Sequence, residues 1–76
     1  MKKVLVVDDD ESIRELYRAD LSDERYEVEL AVDGRQALAL LDSFLPNLVT
    51  LDIKLPDIDG IEVLRRIREK NATIPV

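Results

Sequence analysis

Acidic residues directly follow two apolar segments of this chain. Val4–Val7 is followed by Asp8 and Asp9, and Leu48–Leu51 is followed by Asp52. If the two segments are neighbouring parallel strands, the three carboxylates meet at the carboxyl edge of one sheet, where open α/β sheets bind their ligands. Two carboxylates about 4 Å apart repel by roughly 4 kcal/mol at an effective dielectric constant near 20, so the cluster requires a cation or raised pKa values. A hard divalent cation with oxygen ligands, Mg²⁺ above all, suits such a site.

The hydrophobic pattern predicts three strands that alternate with three helices. The predicted strands are Lys3–Val7, Tyr26–Ala31 and Leu48–Asp52, and the predicted helices run from about Glu11 to Leu21, Gly34 to Phe44 and Ile61 to Glu69. The first and third strands are continuously apolar, as in the centre of a parallel sheet, whereas Val28 and Leu30 alternate with glutamates, as in an edge strand. Alternating strands and helices predict a parallel sheet with right-handed crossovers. Ile74–Val76 has the composition of a fourth strand that is just beginning.

Each predicted helix carries an apolar stripe and a start signal. The residues expected to face inward are Ile13, Leu16, Tyr17 and Leu21, then Ala37, Leu38, Leu41 and Leu45, then Ile61, Val63, Leu64 and Ile67. Asp10 is expected to cap the first helix, at which Ser12 and Glu15 could also form a capping box. Asp33 signals the start of the second helix, and Asp59 is expected to cap the third.

Charged residues on the helix surfaces need no function. Two glutamates and two arginines of the first helix offer ion pairs at helical spacing, namely Glu11, Glu15, Arg14 and Arg18. A short basic stripe lies near the end of the third helix, where cations favour the helix dipole, and comprises Arg65, Arg66, Arg68 and Lys70. We interpret both groups as solvated faces rather than as contacts to nucleic acid.

Length and composition exclude several classes of protein. With 76 residues, the chain is one small domain or a piece of one, and such a domain buries only about 60% of its unfolded surface. The absence of cysteine and histidine excludes disulfides, thiolate or imidazole metal sites and histidine acid–base chemistry. The net charge of −6 argues against direct binding to nucleic acid. The apolar run after the first lysines is too short for a signal peptide or a membrane span, so we expect a cytoplasmic chain without membrane contact.

One further acidic motif lies in the loop before the third helix. Asp57 and Asp59 precede Gly60 as in part of a calcium-binding loop. The other positions that such a loop fills with acidic residues hold Leu55 and Arg66. The sequence therefore does not predict a calcium site here.

The combination of these motifs resembles the receiver domain of two-component response regulators. The segments that carry the resemblance are Val6–Asp10, Ile13–Leu16, Ala31–Gly34 with Ala37 and Leu38 behind it, Leu51–Gly60 and Ile74–Val76, so it covers essentially the whole chain. It implies an α/β, flavodoxin-like (CheY-like) fold with a parallel sheet, here a truncated (βα)3 unit with strand order 2-1-3. Residues 1–76 are accordingly expected to form one truncated receiver domain.

The resemblance implies a phosphoacceptor module rather than an enzyme. Asp52 would accept a phosphoryl group from a histidine of a sensor kinase in a Mg²⁺-dependent transfer. Asp9, Asp52 and the backbone carbonyl of Lys54 would bind the Mg²⁺ directly, and Asp8 would act through a metal-bound water. A metal that neutralises the transferring oxygens makes a carboxylate a useful acceptor. A phosphatase with an aspartyl nucleophile would require a second acid where Lys54 stands.

The chain departs from the family pattern after the third helix. Receivers have five strands in the order 2-1-3-4-5, and the Ser/Thr after strand four and the Lys after strand five, which contact the phosphoryl group, have no counterpart here. We therefore expect phosphoryl transfer to be impaired. The alternative is a self-assembling structural fragment of the receiver fold with no signalling activity. The unpaired edge of the strand at 48–52, or the tail at 74–76, predicts a homodimer in which a partner subunit completes the sheet.

Overall fold

Three strands and three helices alternate along the chain, and the computed structural model describes all residues from 1 to 76. The elements are β1 Lys3–Val7, α1 Glu11–Asp23, β2 Glu27–Ala31, α2 Gly34–Phe44, β3 Leu48–Leu51 and α3 Gly60–Lys70. The order predicted from the hydrophobic pattern is confirmed; β1 and α2 have the predicted ends, and the ends of the other elements differ from the predicted ones by at most two residues. None of the helices has the length and apolar character needed to cross a membrane.

The strands form one parallel sheet in the order β2-β1-β3. In the central strand, Val6 lies opposite Leu30 of β2 and Thr50 of β3. Because β2 and β3 lie on opposite sides of β1, the connection from β1 to β2 and the connection from β2 to β3 run in opposite directions across the sheet. Right-handed crossovers therefore place α1 and α2 on opposite faces of the sheet. The predicted order 2-1-3 and the flavodoxin-like arrangement are confirmed.

The main hydrophobic core lies between the sheet and the layer formed by α2 and α3. Its buried residues are Leu5, Val7, Ala31, Ala37, Leu41, Val49, Val63, Ile67 and Ile74. Val4 and Val6 alternate with this set and point to the other face of the sheet, where they are also buried. Because a fully buried aliphatic side chain contributes about 1.5–3 kcal/mol, most of the hydrophobic stabilisation comes from the α2–α3 side.

Helix α1 contributes no buried residue to the other face. The prediction that Ile13, Leu16 and Tyr17 pack inward is wrong, since their exposed fractions are 37%, 59% and 42%. Leu21 is half-buried. The physical reason is that α1 lies on its face of the sheet without a neighbouring helix, so its apolar stripe is covered only where it meets the strands.

The stripes of α2 and α3 are confirmed in their central positions and wrong at one position each. Ala37, Leu41, Val63 and Ile67 are buried, and Leu38 and Leu64 are half-buried. Leu45 is 67% exposed because it lies just beyond the helix in the left-handed conformation, with φ of 54°. The buried side of α3 is formed by the row of residues that contains Gly60. Ile61 lies beside this row and is 56% exposed.

Aspartate caps begin all three helices. The carboxylates of Asp10, Asp33 and Asp59 accept hydrogen bonds from the amides two or three residues later, at 3.2, 2.8 and 2.9 Å. These contacts satisfy amides that have no partner inside the helix, and they confirm the three predicted caps. The capping box of Ser12 and Glu15 is wrong, because both residues lie inside the helix that Asp10 caps.

The segment Ile74–Val76 lies against the edge of β3 but is not a strand. The amide of Val49 donates to the carbonyl of Pro75 at 3.0 Å, and the guanidinium of Arg68 donates to the carbonyl of Ile74. Ile74 is buried in the main core. One backbone bond does not make a ladder, and Pro75 has no amide hydrogen to extend it. The expected fourth strand is therefore wrong as secondary structure, although the segment lies beside β3.

Candidate metal and phosphoryl-acceptor site

The carboxyl ends of β1 and β3 bring three carboxylates together. Oxygen atoms of Asp8, Asp9 and Asp52 all lie within 4.8 Å of one another. The register causes this, because Val7 and Leu51 are partners and the next residue of each strand follows at the same level. Asp8 and Asp52 are half-buried, and Asp9 is exposed. The convergence predicted from the two strand ends is confirmed.

Hydrogen bonds to the backbone hold two of these residues in place. The amide of Asp8 donates to β2 at 3.1 Å, and the amide of Asp52 donates to β1 at 3.0 Å. Their side chains accept from nearby amides, Asp8 from Asp10 at 2.9 Å and Asp52 from Lys54 at 3.1 Å. One oxygen of each carboxylate is therefore tied to the chain, which orients the other toward the shared site.

The carboxylates of the acidic cluster form no ion pair within the chain. The ion pairs of the structure lie elsewhere, and none involves Asp8, Asp9 or Asp52. A shallow cavity of about 300 Å³ adjoins the cluster and extends to Tyr17 and Thr50. Open access and an all-oxygen donor set fit Mg²⁺, which keeps several of its waters when it binds to proteins.

Lys54 lies two residues after Asp52 in the exposed loop that leads to α3. Its amide donates to the Asp52 carboxylate, and its carbonyl accepts no hydrogen bond from the chain. Its ammonium group forms no ion pair. The carbonyl is therefore available to a ligand bound at the end of β3.

Gly60 closes this loop by a close backbone approach. Its amide donates to the carbonyl of Ile53 at 2.9 Å. A Cβ atom at position 60 would lie 2.4 Å from the Cα atom of Ile53 and 2.5 Å from its carbonyl oxygen. Only glycine fits at this contact, which returns the chain to the end of β3 before α3 begins.

Asp57, in the loop that follows β3, is a residue whose role sequence reasoning missed. Its carboxylate accepts from the amides of Gly34 at 2.8 Å, Arg35 at 3.0 Å and Ile58 at 2.8 Å. Burial raises the pKa of Asp57, but these backbone hydrogen bonds outweigh it and hold the pKa below its usual value. The motif Asp57-x-Asp59-Gly60 was the available signal, and its carboxylates bind backbone amides in the structure.

Arg14 lies near the site and makes a different contact from the one that the sequence pattern suggested. Its spacing offered ion pairs along the surface of α1, but it forms none. Instead, its guanidinium Nη1 donates to the backbone carbonyl of Asp8 at 2.8 Å. The only available signal was a long cationic side chain in the first turns of a helix that starts at an acidic strand end.

Comparison with known proteins identifies the family. The family model for the response regulator receiver domain matches residues 4–76. The chain belongs to this family. The predicted family is thereby confirmed.

The curated relatives that the chain matches are longer than the chain. The chain is 47% identical over 74 residues to response regulator MprA of Mycolicibacterium vanbaalenii, covering 97% of this chain and 32% of the relative. It is 44% identical over 73 residues to transcriptional regulatory protein TrcR of Mycobacterium tuberculosis, covering 96% and 28%. The chain thus spans about a third of the length of these relatives.

Solved receiver structures superimpose closely on the chain. The response regulator TrrA of Thermotoga maritima, in complex with Mg(2+)-BeF, has a TM-score of 0.89 and 46% identity, covering 95% of this chain and 63% of that one. The chemotaxis response regulator CheY4 of Vibrio cholerae has a TM-score of 0.93 and 38% identity, covering 99% and 64%. The fold of the chain is therefore CheY-like over almost all of its 76 residues.

Proposed function

We propose that this receiver domain is a phosphoacceptor module of two-component signal transduction, with Asp52 as the acceptor of a phosphoryl group from a sensor kinase histidine. The observation that carries the proposal is the convergence of Asp8, Asp9 and Asp52 within 4.8 Å. The Mg(2+)-BeF complex of the Thermotoga relative supports it, because that protein is 46% identical to this chain.

The residues present fit a Mg²⁺ ion. Asp9, Asp52 and the free carbonyl of Lys54 would hold it, and Asp8 would act through a bound water. When bound, Mg²⁺ neutralises charge on the transferring oxygens. The chain itself contributes the orientation of the acceptor, since the amide of Lys54 holds the Asp52 carboxylate in place. In the transfer, a bond forms between an Asp52 oxygen and phosphorus, the bond from phosphorus to the kinase histidine nitrogen breaks, and that nitrogen keeps the electron pair.

Phosphorylation by a small-molecule donor tests this assignment. The chain is incubated with Mg²⁺ and acetyl phosphate, and its intact mass is recorded with and without a chelator. We expect a Mg²⁺-dependent gain of one phosphoryl group, which Asp52→Asn abolishes. Asp20→Asn is the matched control, because Asp20 is exposed on α1 and lies outside the acidic cluster. No gain in mass, or a gain that persists in Asp52→Asn, would contradict the proposal.

Self-association is a second proposal, and the edge of β3 supports it. The tail contributes one backbone bond to this edge, at Val49, which leaves the rest of the edge open to pairing with a second copy. The exposed Leu16 and Tyr17 of α1 add apolar surface. Light scattering over a range of concentrations should give the mass of a dimer, whereas a monodisperse monomer at micromolar concentration would contradict the homodimer. A dimer that takes no phosphate would favour the alternative of a purely structural assembly.

The expectation of no direct nucleic-acid contact applies only to these residues. Their net charge of −6 supports it, because phosphate backbones repel an acidic surface. One relative carries the name transcriptional regulatory protein, and the chain covers only 28% of it. The expectation therefore does not extend to proteins of that length.

A further inference from the structure

The side chain of Arg14 occupies an unusual place on α1. Between Glu11 and Asp20 it is the only residue that is not exposed, although three large apolar residues lie in the same stretch. Its guanidinium donates to the Asp8 carbonyl at 2.8 Å in a partly buried hydrogen bond. The inward-facing residue at this end of the helix is thus a cation that contacts the backbone at the acidic edge.

The carbonyl that Arg14 contacts belongs to the peptide bond between Asp8 and Asp9. A peptide unit is planar, so fixing its oxygen also fixes the amide and the Cα atom of Asp9. Asp8 is held in two further ways, by its amide on β2 and by its carboxylate on the amide of Asp10. The carboxylate of Asp9 is exposed and accepts no hydrogen bond from the chain, so its position depends on this peptide.

We propose that Arg14 is a positioning residue for the metal-binding carboxylates, acting through the Asp8–Asp9 peptide. The inference rests on the proposed function, because it requires that Asp8 and Asp9 bind a divalent cation. A guanidinium is always charged and gives short, charge-assisted hydrogen bonds in a fixed plane. Such a bond organises the peptide before the metal arrives, as outer-shell partners of metal sites do.

The direct electrostatic effect of Arg14 on metal binding has the opposite sign to the positioning effect. A positive charge near the cluster repels Mg²⁺, so its removal through this effect alone would tighten binding. The loss of a positioning contact loosens binding, because the carboxylates of Asp8 and Asp9 are no longer prearranged. The direction of the change therefore separates a positioning role from a charge that is merely nearby.

Magnesium titration of variants tests the proposal. Backbone amide signals of residues 8–10 are followed by NMR as Mg²⁺ is added to the wild-type chain, Arg14→Gln, Arg14→Lys and Arg18→Gln. We expect Arg14→Gln to weaken binding by about tenfold, the lower end of the range for outer-shell contacts, and Arg14→Lys to restore part of it. Arg18→Gln removes the same charge from the same helix, where the one ion pair of Arg18 is with Glu15 at 3.9 Å, and it should leave binding unchanged or slightly tighter.

Each outcome bears on the proposal. Unchanged or tighter binding in a folded Arg14→Gln variant would overturn it, as would equal weakening in Arg18→Gln. If Arg14→Gln does not fold, the wild-type chain provides the test: Mg²⁺ should shift the guanidinium signals of Arg14 and not those of Arg18, and unshifted Arg14 signals would overturn the proposal. A wild-type chain that binds no Mg²⁺ would overturn the proposed function and this inference together, whereas failure in the variants alone would leave the proposed function standing.

Discussion

The amide of Gly34 donates a hydrogen bond of 2.8 Å to the carboxylate of Asp57, and the two residues are 23 positions apart in sequence. The same carboxylate accepts from the next amide, that of Arg35, at 3.0 Å. These amides lie at the start of α2, where the helix leaves donors free and its dipole favours a negative charge. The loop that carries Lys54 is thereby anchored to the helix that follows β2.

Asp57→Asn should lower the stability of the domain, most strongly near neutral pH. Because the folded-state pKa of Asp57 is lowered, its charged form contributes stability that is fully present above its unfolded pKa of about 3.9. This contribution is lost as the pH falls through the lower folded pKa. Urea unfolding at several pH values should therefore show a difference between wild type and Asp57→Asn that shrinks in acid. A difference independent of pH would contradict this prediction.

Glu62 provides a comparison for the same pH range. Hydrogen bonds from Arg65 and Arg66 lower the pKa of Glu62 to about 2, so its contribution to stability is also lost as the pH falls from about 4.3 toward that value. All three residues lie on α3. We expect Glu62→Gln to leave the amide NMR signals of Gly34 and Arg35 unchanged, whereas Asp57→Asn should shift both.

Gly60→Ala should destabilise the domain by about 2 kcal/mol or more, because overpacking typically costs about 1–3 kcal/mol and the new Cβ atom would meet the backbone of Ile53 at 2.4 Å. Gly34→Ala is the matched variant. Its Cβ atom would come within 2.9 Å of the Cγ2 atom of Val63, a side-chain methyl group that can move. Urea unfolding should give a clearly smaller loss for Gly34→Ala, and equal losses would show that the contact with Ile53 is not decisive.

Asp9→Asn should stabilise the metal-free domain, because it removes one charge from three carboxylates within 4.8 Å of one another. Since Asp9 is exposed, we expect a gain of about 1 kcal/mol in the free energy of unfolding. This value is close to the repulsion energy of two unit charges at about this distance in water. Saturating Mg²⁺ should abolish or reverse the difference, because the wild-type chain would bind the ion more tightly. Thermal unfolding with EDTA and with Mg²⁺ measures both effects. A loss of stability in EDTA would mean that repulsion is not significant here.

Ile74→Ala should cost about 2 kcal/mol or more, because Ile74 is 5% exposed and belongs to the main core. Val76 lies two residues further on and is 42% exposed, so Val76→Ala should have little effect. Urea unfolding of the two variants under the same conditions measures the difference. Similar small effects would mean that the segment beside β3 does not contribute to the core.

The strand order and the acidic cluster could be predicted because both follow from general rules. Alternating strands and helices with right-handed crossovers leave few topologies, and Asp8 and Asp52 each follow the last residue of neighbouring strands. The burial of α1 could not be predicted in this way. Periodicity shows which side of a helix is apolar, but the exposure of Leu16 depends on whether another element covers it.

The contacts of Asp57 and Arg14 could not be predicted from the sequence pattern either. The partners of Asp57 lie on a different element, so its local motif does not indicate them. The spacing of Arg14 suggested ion pairs with glutamates on the helix surface. In a helix the side chains lean toward the amino-terminal end, which brings the guanidinium back to the carbonyl of Asp8.

The absence of buried residues in α1 has a consequence for local unfolding. Segments with few buried contacts open before the rest of a protein does, so the amide protons of α1 should exchange with solvent well before those of β1. When α1 detaches, Arg14 leaves the Asp8 carbonyl while the sheet stays intact. An ion held by Asp8 and Asp9 would favour the closed form by mass action. Metal binding at the edge of the sheet would then slow the exchange of the amide protons of α1, although the ion does not contact that helix.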